Sequence, residues 1–127
     1  MPTQEIPRAD WKTFLNVFSR QHEGWLSTLE LLGSDIGAQR EARDLPLEGI
    51  SVTDDDAQEI AISLGNITTD HVTHTVLQPT RIWVEQTSEG ANASLEIESS
   101  ENVKALLRFR SPMPAEMVDG VILEHSD

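Results

Sequence analysis

The sequence predicts an α+β fold, in which an N-terminal helix packs on a strongly bent, mainly antiparallel sheet of about six or seven strands. Apolar residues recur at helical spacing near the N-terminus, and apolar and polar residues alternate in several later runs. Turn-forming residues such as Gly90 and Asn102 separate the last of these runs. Closure of the same sheet into a small barrel is an alternative form of this fold.

We expect one amphipathic helix within residues 1–24. The apolar residues at helical spacing are Ile6, Trp11, Phe14, Leu15 and Phe18. Pro7 suits the first turn of a helix, and Gly24 suits the left-handed position that follows its last turn. Because aromatic side chains dominate its apolar face, the helix is expected to cover one face or one open end of the sheet.

Residues 25–111 are expected to form the sheet. Residues 81–110 are expected to form a ribbon of three strands at the end of the sheet. Five strands are expected before this ribbon, at residues 25–32, 38–44, 49–53, 58–64 and 70–77. Residues 25–32 are apolar on both sides, which is typical of a central strand, whereas residues 38–44 alternate small and charged side chains as edge strands do. Pro46 is expected to break or bend that edge strand.

The last three strands show the clearest alternation and fix their own register. If their apolar side chains share one face, Ile97 must lie opposite Ala105 and Leu95 opposite Leu107, because a slip of one residue turns a strand inside out. This register leaves a short loop that ends at Asn102. The last residue of such a loop adopts the left-handed conformation, which asparagine tolerates well.

The opposite face of this ribbon is charged, and two apolar side chains interrupt it. Arg81, Glu98 and Lys104 are expected to form a row of alternating charge across the three strands. Trp83 and Leu106 lie on the same face. They are either covered by another part of the chain or exposed as an anchor for a partner.

Composition limits the class of protein. The chain has 127 residues, which suits a single domain, and its lack of cysteine excludes disulfides and thiolate chemistry. The net charge is −13, and Arg81 is the only Lys or Arg between residues 51 and 102, so nucleic-acid binding is not expected. The N-terminus lacks the apolar core of a signal peptide and no apolar run could span a membrane, so we expect a cytoplasmic protein without membrane contacts.

Asp70, His71 and His74 are the one local group of residues that suits metal binding or acid–base chemistry. The β-branched residues around them favour a strand, on which side chains three positions apart point to opposite faces. His71 and His74 could then share a metal ion only if a bulge re-aimed one of them. The alternative for His74, on the same side as Val72 and Val76, is a hydrogen-bonded histidine of the core.

Known catalytic signatures are missing, including phosphate loops and the HExxH and GxSxG motifs. The sequence therefore implies no cofactor and favours a protein that is not an enzyme. The tail, residues 112–127, is unusually apolar for a solvated end and is expected to dock on its own domain or on a second copy. Its candidate contact residues are Val121, Ile122 and Leu123.

Four segments of the chain together resemble a family of small bacterial proteins catalogued only as a domain of unknown function. They are IPRADWKTFLNVFSRQHEGW, DIGAQREARDLPLEG, DHVTHTVLQPTRIWVEQT and ALLRFRSPMPAEMVDG. The resemblance runs nearly end to end and implies a single domain, but it brings no functional residues. The order of a helix followed by strands is also similar to small Sm-like or SH3-like barrels, an analogy that carries no activity.

These observations lead to one expected function and one alternative. The expected function is a non-catalytic, acidic protein-binding or assembly module that works through Trp83 and Leu106 or through the C-terminal tail. The alternative is a metal- or histidine-dependent site for a small molecule around Asp70, His71 and His74. A ligand pocket inside a barrel is a third hypothesis, whose size the sequence does not define.

Overall fold

The computed structural model describes residues 3–33, 37–53, 58–65, 71–87, 90–100 and 102–110. This part of the chain contains one α-helix, α1 (Trp11–Gln21), preceded by a 3₁₀ turn at Arg8–Asp10. The strands are β1 (Thr3–Ile6), β2 (Leu26–Gly33), β3 (Gly37–Val52), β4 (Glu59–Gly65), β5 (His71–Leu77), β6 (Pro79–Gln86), β7 (Asn92–Ser99) and β8 (Val103–Phe109).

The eight strands form one sheet with the order β1-β6-β7-β8-β2-β3-β4-β5, and neighbouring strands are antiparallel. The α+β class and the antiparallel sheet are therefore confirmed, although the strands outnumber the six or seven expected. Strands β1 and β5 stand at opposite ends of this order, so the sheet is open within the described residues. The eight described strands do not form a closed barrel.

Strand β3 joins two segments that the sequence suggested were separate. Residues 38–44 pair with β2 alone, as an edge segment would, but the strand continues through Pro46 to Val52. Pairing with β4 begins at Leu47, which faces Leu64. Pro46 therefore marks the change of partner rather than the end of the strand, since a residue without an N–H fits where a ladder changes.

The register predicted for the last three strands is confirmed. Ile97 pairs with Ala105 and Leu95 pairs with Leu107, and their side chains are fully buried. Asn102 has a φ of 63°, the left-handed conformation expected at the end of the connecting loop. All the apolar residues on the inner face of the ribbon are buried, namely Ile82, Val84, Leu95, Ile97, Ala105, Leu107 and Phe109.

Helix α1 covers the inner face of the sheet, where it packs against β3. Its aromatic and aliphatic side chains Trp11, Leu15 and Phe18 are almost completely buried, and the Phe18 ring stacks on Phe109 at 5.7 Å between centroids. Ser19 locks the helix to β3, because its hydroxyl accepts a hydrogen bond from the Ile50 N–H and donates one to the Ile50 carbonyl. The helix ends before Gly24, which has the expected positive φ.

The N-terminus differs from the expected continuous helix. Ile6 belongs to strand β1 and pairs with Ile82 of β6 at one end of the sheet. Pro7 precedes the 3₁₀ turn, and α1 begins four residues after it at Trp11. The Trp11 indole N–H donates to the Ile6 carbonyl at 2.9 Å, so the helix and β1 are tied together by a buried hydrogen bond.

Candidate functional site

The outer face of β6, β7 and β8 carries a groove that contains both apolar residues singled out in the sequence. Trp83 pairs with Glu96, which pairs with Leu106, so the three side chains form one row across the strands. The groove has a volume of about 370 Å³, and Glu85 and Glu98 also line it. We call it the Trp83 groove, defined by these five residues.

The indole of Trp83 is held in place by one of the carboxylates. Its Nε1–H donates to Glu98 Oε2 at 2.9 Å, and the side chain is half-buried. Leu106 is half-buried as well. Neither is an isolated apolar group on an otherwise hydrated face, since both line the same depression with carboxylates beside them.

One carboxylate of the groove, that of Glu96, has a raised pKa because it is partly buried. Desolvation raises the pKa of Glu96 above its ordinary value, Lys104 at 3.8 Å lowers it in part, and the neighbouring Glu98 raises it again. The charged form of Glu96 is therefore less stable here than in water. A positive charge placed in the groove would favour that charged form.

The predicted charge row is present in the register, with a different ion pair from the one expected. Arg81 lies opposite Glu98, and Glu98 lies opposite Lys104. The Lys104 ammonium nevertheless reaches Glu96, which is one row away. Arg108, which also lines the groove, forms an ion pair with Glu30.

The two histidines of the predicted metal site lie on opposite faces of β5, as strand parity requires. His71 is exposed, and its Nε2 lies 2.8 Å from Glu48 Oε1. His74 lies on the inner side with Val76. Asp70 falls outside the described residues, and within the described ranges no three His, Cys, Asp or Glu side chains are grouped to hold a metal ion.

His74 borders a cleft of about 240 Å³ between β5 and the inner face of β2 and β8. Leu31, Val103 and Ala105 form the opposite wall. Desolvation lowers the pKa of His74, and the nearby carboxylate of Glu41 raises it in part. The side chain is thus half-buried at the edge of the core rather than enclosed within it.

A family model described as "Family of unknown function (DUF5335)" matches residues 2–118 of the chain. The chain belongs to this family. The match confirms the resemblance to a domain of unknown function that the sequence segments indicated. An uncharacterised protein of Aquifex aeolicus (strain VF5) is 29% identical over 115 residues, which are 90% of this chain and 97% of the Aquifex protein. No solved structure matches the chain significantly.

Sequence reasoning missed a buried aromatic cluster around His22 at the end of α1 in this DUF5335 member. His22 is 2% exposed; its ring stacks on Phe109, packs at a tilt against Phe18 and has the Trp25 ring edge-on to it. His22 Nδ1 lies 2.7 Å from the Phe18 carbonyl oxygen, which can only accept, so Nδ1 carries the proton. The other nitrogen then faces the Asn92 amide at 3.5 Å.

The sequence could indicate only those contacts of His22 that are close to it along the chain. Phe18 precedes His22 by four residues, the spacing at which side chains meet on a helix. Phe109 and Asn92 come much later in the chain, and only the fold brings them to the helix end.

The tail residues Val121, Ile122 and Leu123 lie outside the described residues. Among the described helices, none is long and apolar enough to cross a membrane.

Proposed function

We propose that this chain is a non-catalytic protein-binding module whose partner docks in the Trp83 groove. The observation that supports it is a half-buried tryptophan beside a half-buried leucine on a sheet face turned away from the helix. Tryptophan is strongly enriched among the residues that contribute most to protein–protein affinity. In the part of the chain that the structure describes, α1 packs on the opposite, inner face.

The rigidity of the groove favours binding. Trp83 is fixed by its hydrogen bond to Glu98, and Ser94 donates to Glu85 at 3.2 Å on the same face. A side chain that is already held in one rotamer loses less conformational entropy when a partner covers it. The strands beneath are also fixed, because Ile82 and Val84 flank Trp83 in the sequence and are buried in the core.

Site-specific photocrosslinking tests this proposal. A photoreactive amino acid at position 106 should crosslink a specific protein in cells, whereas the same group at Thr73, an exposed position on β5, should not. The captured protein would be identified by mass spectrometry and titrated in purified form. Trp83→Ser should then weaken its binding by at least about tenfold, the size expected for a central aromatic contact.

Two results would contradict the proposal. One is the absence of any crosslinked protein, or second copy of this chain, that is specific to position 106. The other is a purified partner that binds the wild type and Trp83→Ser equally well, provided that circular dichroism shows the variant to be folded. A specific crosslink to a second copy would assign the groove to self-assembly, and the same Trp83→Ser comparison would then be made on dimerisation.

A further inference from the structure

Resting on the proposed function, we infer that the partner segment is basic and that one of its arginine or lysine side chains lies across the indole of Trp83. The groove would therefore recognise a cation on an extended or loop segment of another protein. Three properties of the outer face carry this inference: the charges around the indole, the pairing of the basic residues already there, and the apolar contact beside it.

Carboxylates surround the Trp83 ring on several sides. Glu96 lies directly across from it on β7, and Glu5 lies directly across on β1. Glu85 is two residues along the same strand and therefore on the same face. Glu98 accepts the indole N–H. An indole face bordered by carboxylates is favourable for a guanidinium or ammonium group, because the ring quadrupole and the charges attract it together.

The basic residues of the face leave this negative charge incompletely balanced. Arg108 lines the groove but is already paired with Glu30, and the Lys104 ammonium lies 3.8 Å from Glu96. Arg81 lies opposite Glu98. Acidic side chains still outnumber basic ones on this face, and the whole chain carries a net charge of −13, which would attract a basic partner from a distance.

The energetics of Glu96 point in the same direction. Desolvation raises its pKa, so its charge is held at a cost in the free protein. A cation in the groove lowers that cost, and binding near the raised pKa would then release a proton. Affinity for a basic segment should consequently increase with pH on the acidic side of neutrality.

A cation already lies over an indole ring elsewhere in this fold. The Arg8 guanidinium carbon lies 4.5 Å from the centroid of the Trp11 ring. At the Trp83 groove the indole is half-buried and lines the depression together with Leu106, which could contact the methylene groups or a neighbouring apolar residue of the partner. The groove volume of about 370 Å³ exceeds what one guanidinium requires, which suits a peptide segment.

A matched pair of peptides tests the inference on the full-length protein. The probe is acetyl-Gly-Arg-Leu-Arg-Gly-amide, and its control replaces both arginines by citrulline, which has nearly the same shape without the charge. At low ionic strength the arginine peptide should bind at least about tenfold more tightly than the citrulline peptide. In nitrogen–proton NMR spectra, the indole signal of Trp83 should shift during the titration, while those of Trp11 and Trp25 should not.

Variants separate a site from general attraction by net charge. Glu96→Gln keeps the shape of the groove and should reduce the binding of the arginine peptide severalfold. Glu23→Gln removes the same charge at an exposed position next to the helix end and should have little effect. Equal losses in the two variants, or equal binding of the two peptides, would overturn the inference.

The outcome can be read separately from the proposed function. If the arginine peptide shows no preference but a partner captured at position 106 still requires Trp83, the groove binds proteins and the basic partner is wrong. If neither experiment depends on Trp83, both proposals fail. Trp83→Leu serves as a second variant, and the NMR shift and Glu96→Gln retain the test if that variant does not fold.

Discussion

His22 should make the stability of this fold depend on pH below neutrality. This residue is 2% exposed, and its imidazole stacks on Phe109 and packs at a tilt against Phe18. Desolvation lowers its pKa below the ordinary value of 6.5, and the hydrogen bond to the Phe18 carbonyl raises it in part. The folded protein therefore keeps His22 neutral at pH values at which the unfolded chain protonates it.

The sign and the size of the effect follow from proton linkage. Below pH 6.5 the unfolded state binds more protons than the folded state, so the free energy of unfolding falls as the pH is lowered. Well above pH 6.5 both states are neutral and the effect vanishes. One histidine with a folded pKa far below 6.5 can lower the free energy of unfolding by at most about 0.8 kcal/mol at pH 6.0 and about 1.4 kcal/mol at pH 5.5.

Comparison with His22→Phe isolates this contribution from those of His74 and Glu96, whose pKa values are also shifted. Phenylalanine preserves the stacking, and the Phe18 carbonyl still accepts the backbone N–H of residue 22 at 3.1 Å. Urea unfolding of both proteins, followed by circular dichroism between pH 7.5 and 5.5, measures the difference. The variant should gain about 1 kcal/mol relative to the wild type over this range. A difference that stays constant with pH would refute the burial of a neutral imidazole.

Two further predictions concern the ribbon. Leu107→Ala should lower the free energy of unfolding by about 2–5 kcal/mol, because the side chain is fully buried, whereas Leu106→Ala on the outer face should cost about 1 kcal/mol or less. Chemical denaturation measures both, and similar losses would contradict the register. Asn102→Val should cost about 1–2 kcal/mol because of its positive φ, whereas Asn102→Gly should be neutral or stabilising. Thermal unfolding checks this pair, and equal effects would contradict a left-handed turn at Asn102.

The parts of the fold that could be predicted from the sequence are those in which local pattern and tertiary structure agree. In β7 and β8 each apolar residue of the alternation faces the core, and the loop residue Asn102 has the conformation that the register demands. Two independent signals therefore selected the same pairing. Such agreement is expected where one face of a sheet is buried and the other is hydrated.

Strand β1 shows why other parts could not be predicted. Three of its four residues are exposed, so it carries almost no hydrophobic pattern. Its position depends on pairing with β6, which comes about eighty residues later in the chain. Ile6 also fits the helical spacing of Trp11 and Leu15, and the sequence offers no means of choosing between a helix and a short edge strand. In the structure, Ile6 lies in the core as part of β1, and the hydrogen bond from the Trp11 indole to the Ile6 carbonyl links this strand to the start of the helix.

The sequence predicted those features of the candidate site that depend only on which face of its strand each residue occupies. Alternation in β6, β7 and β8 placed Trp83, Glu96, Glu98 and Leu106 on one face, and the structure brings them into one groove. Parity could not show the depth of that groove, the bond between Trp83 and Glu98, or the arrival of Glu5 on β1. These depend on side-chain rotamers and on a strand that the pattern did not reveal.

The same alternation separates the proposed binding surface from the core. On β6 the core is formed by Ile82 and Val84, which are buried, while Trp83 between them points the other way. A substitution at Trp83 therefore removes outer-face contacts and leaves the apolar contacts of its two neighbours in place. Loss of binding without loss of the fold is the expected result for Trp83→Ser. A variant that unfolded instead would show that the outer face contributes to stability, and a tryptophan kept for stability needs no partner to explain it.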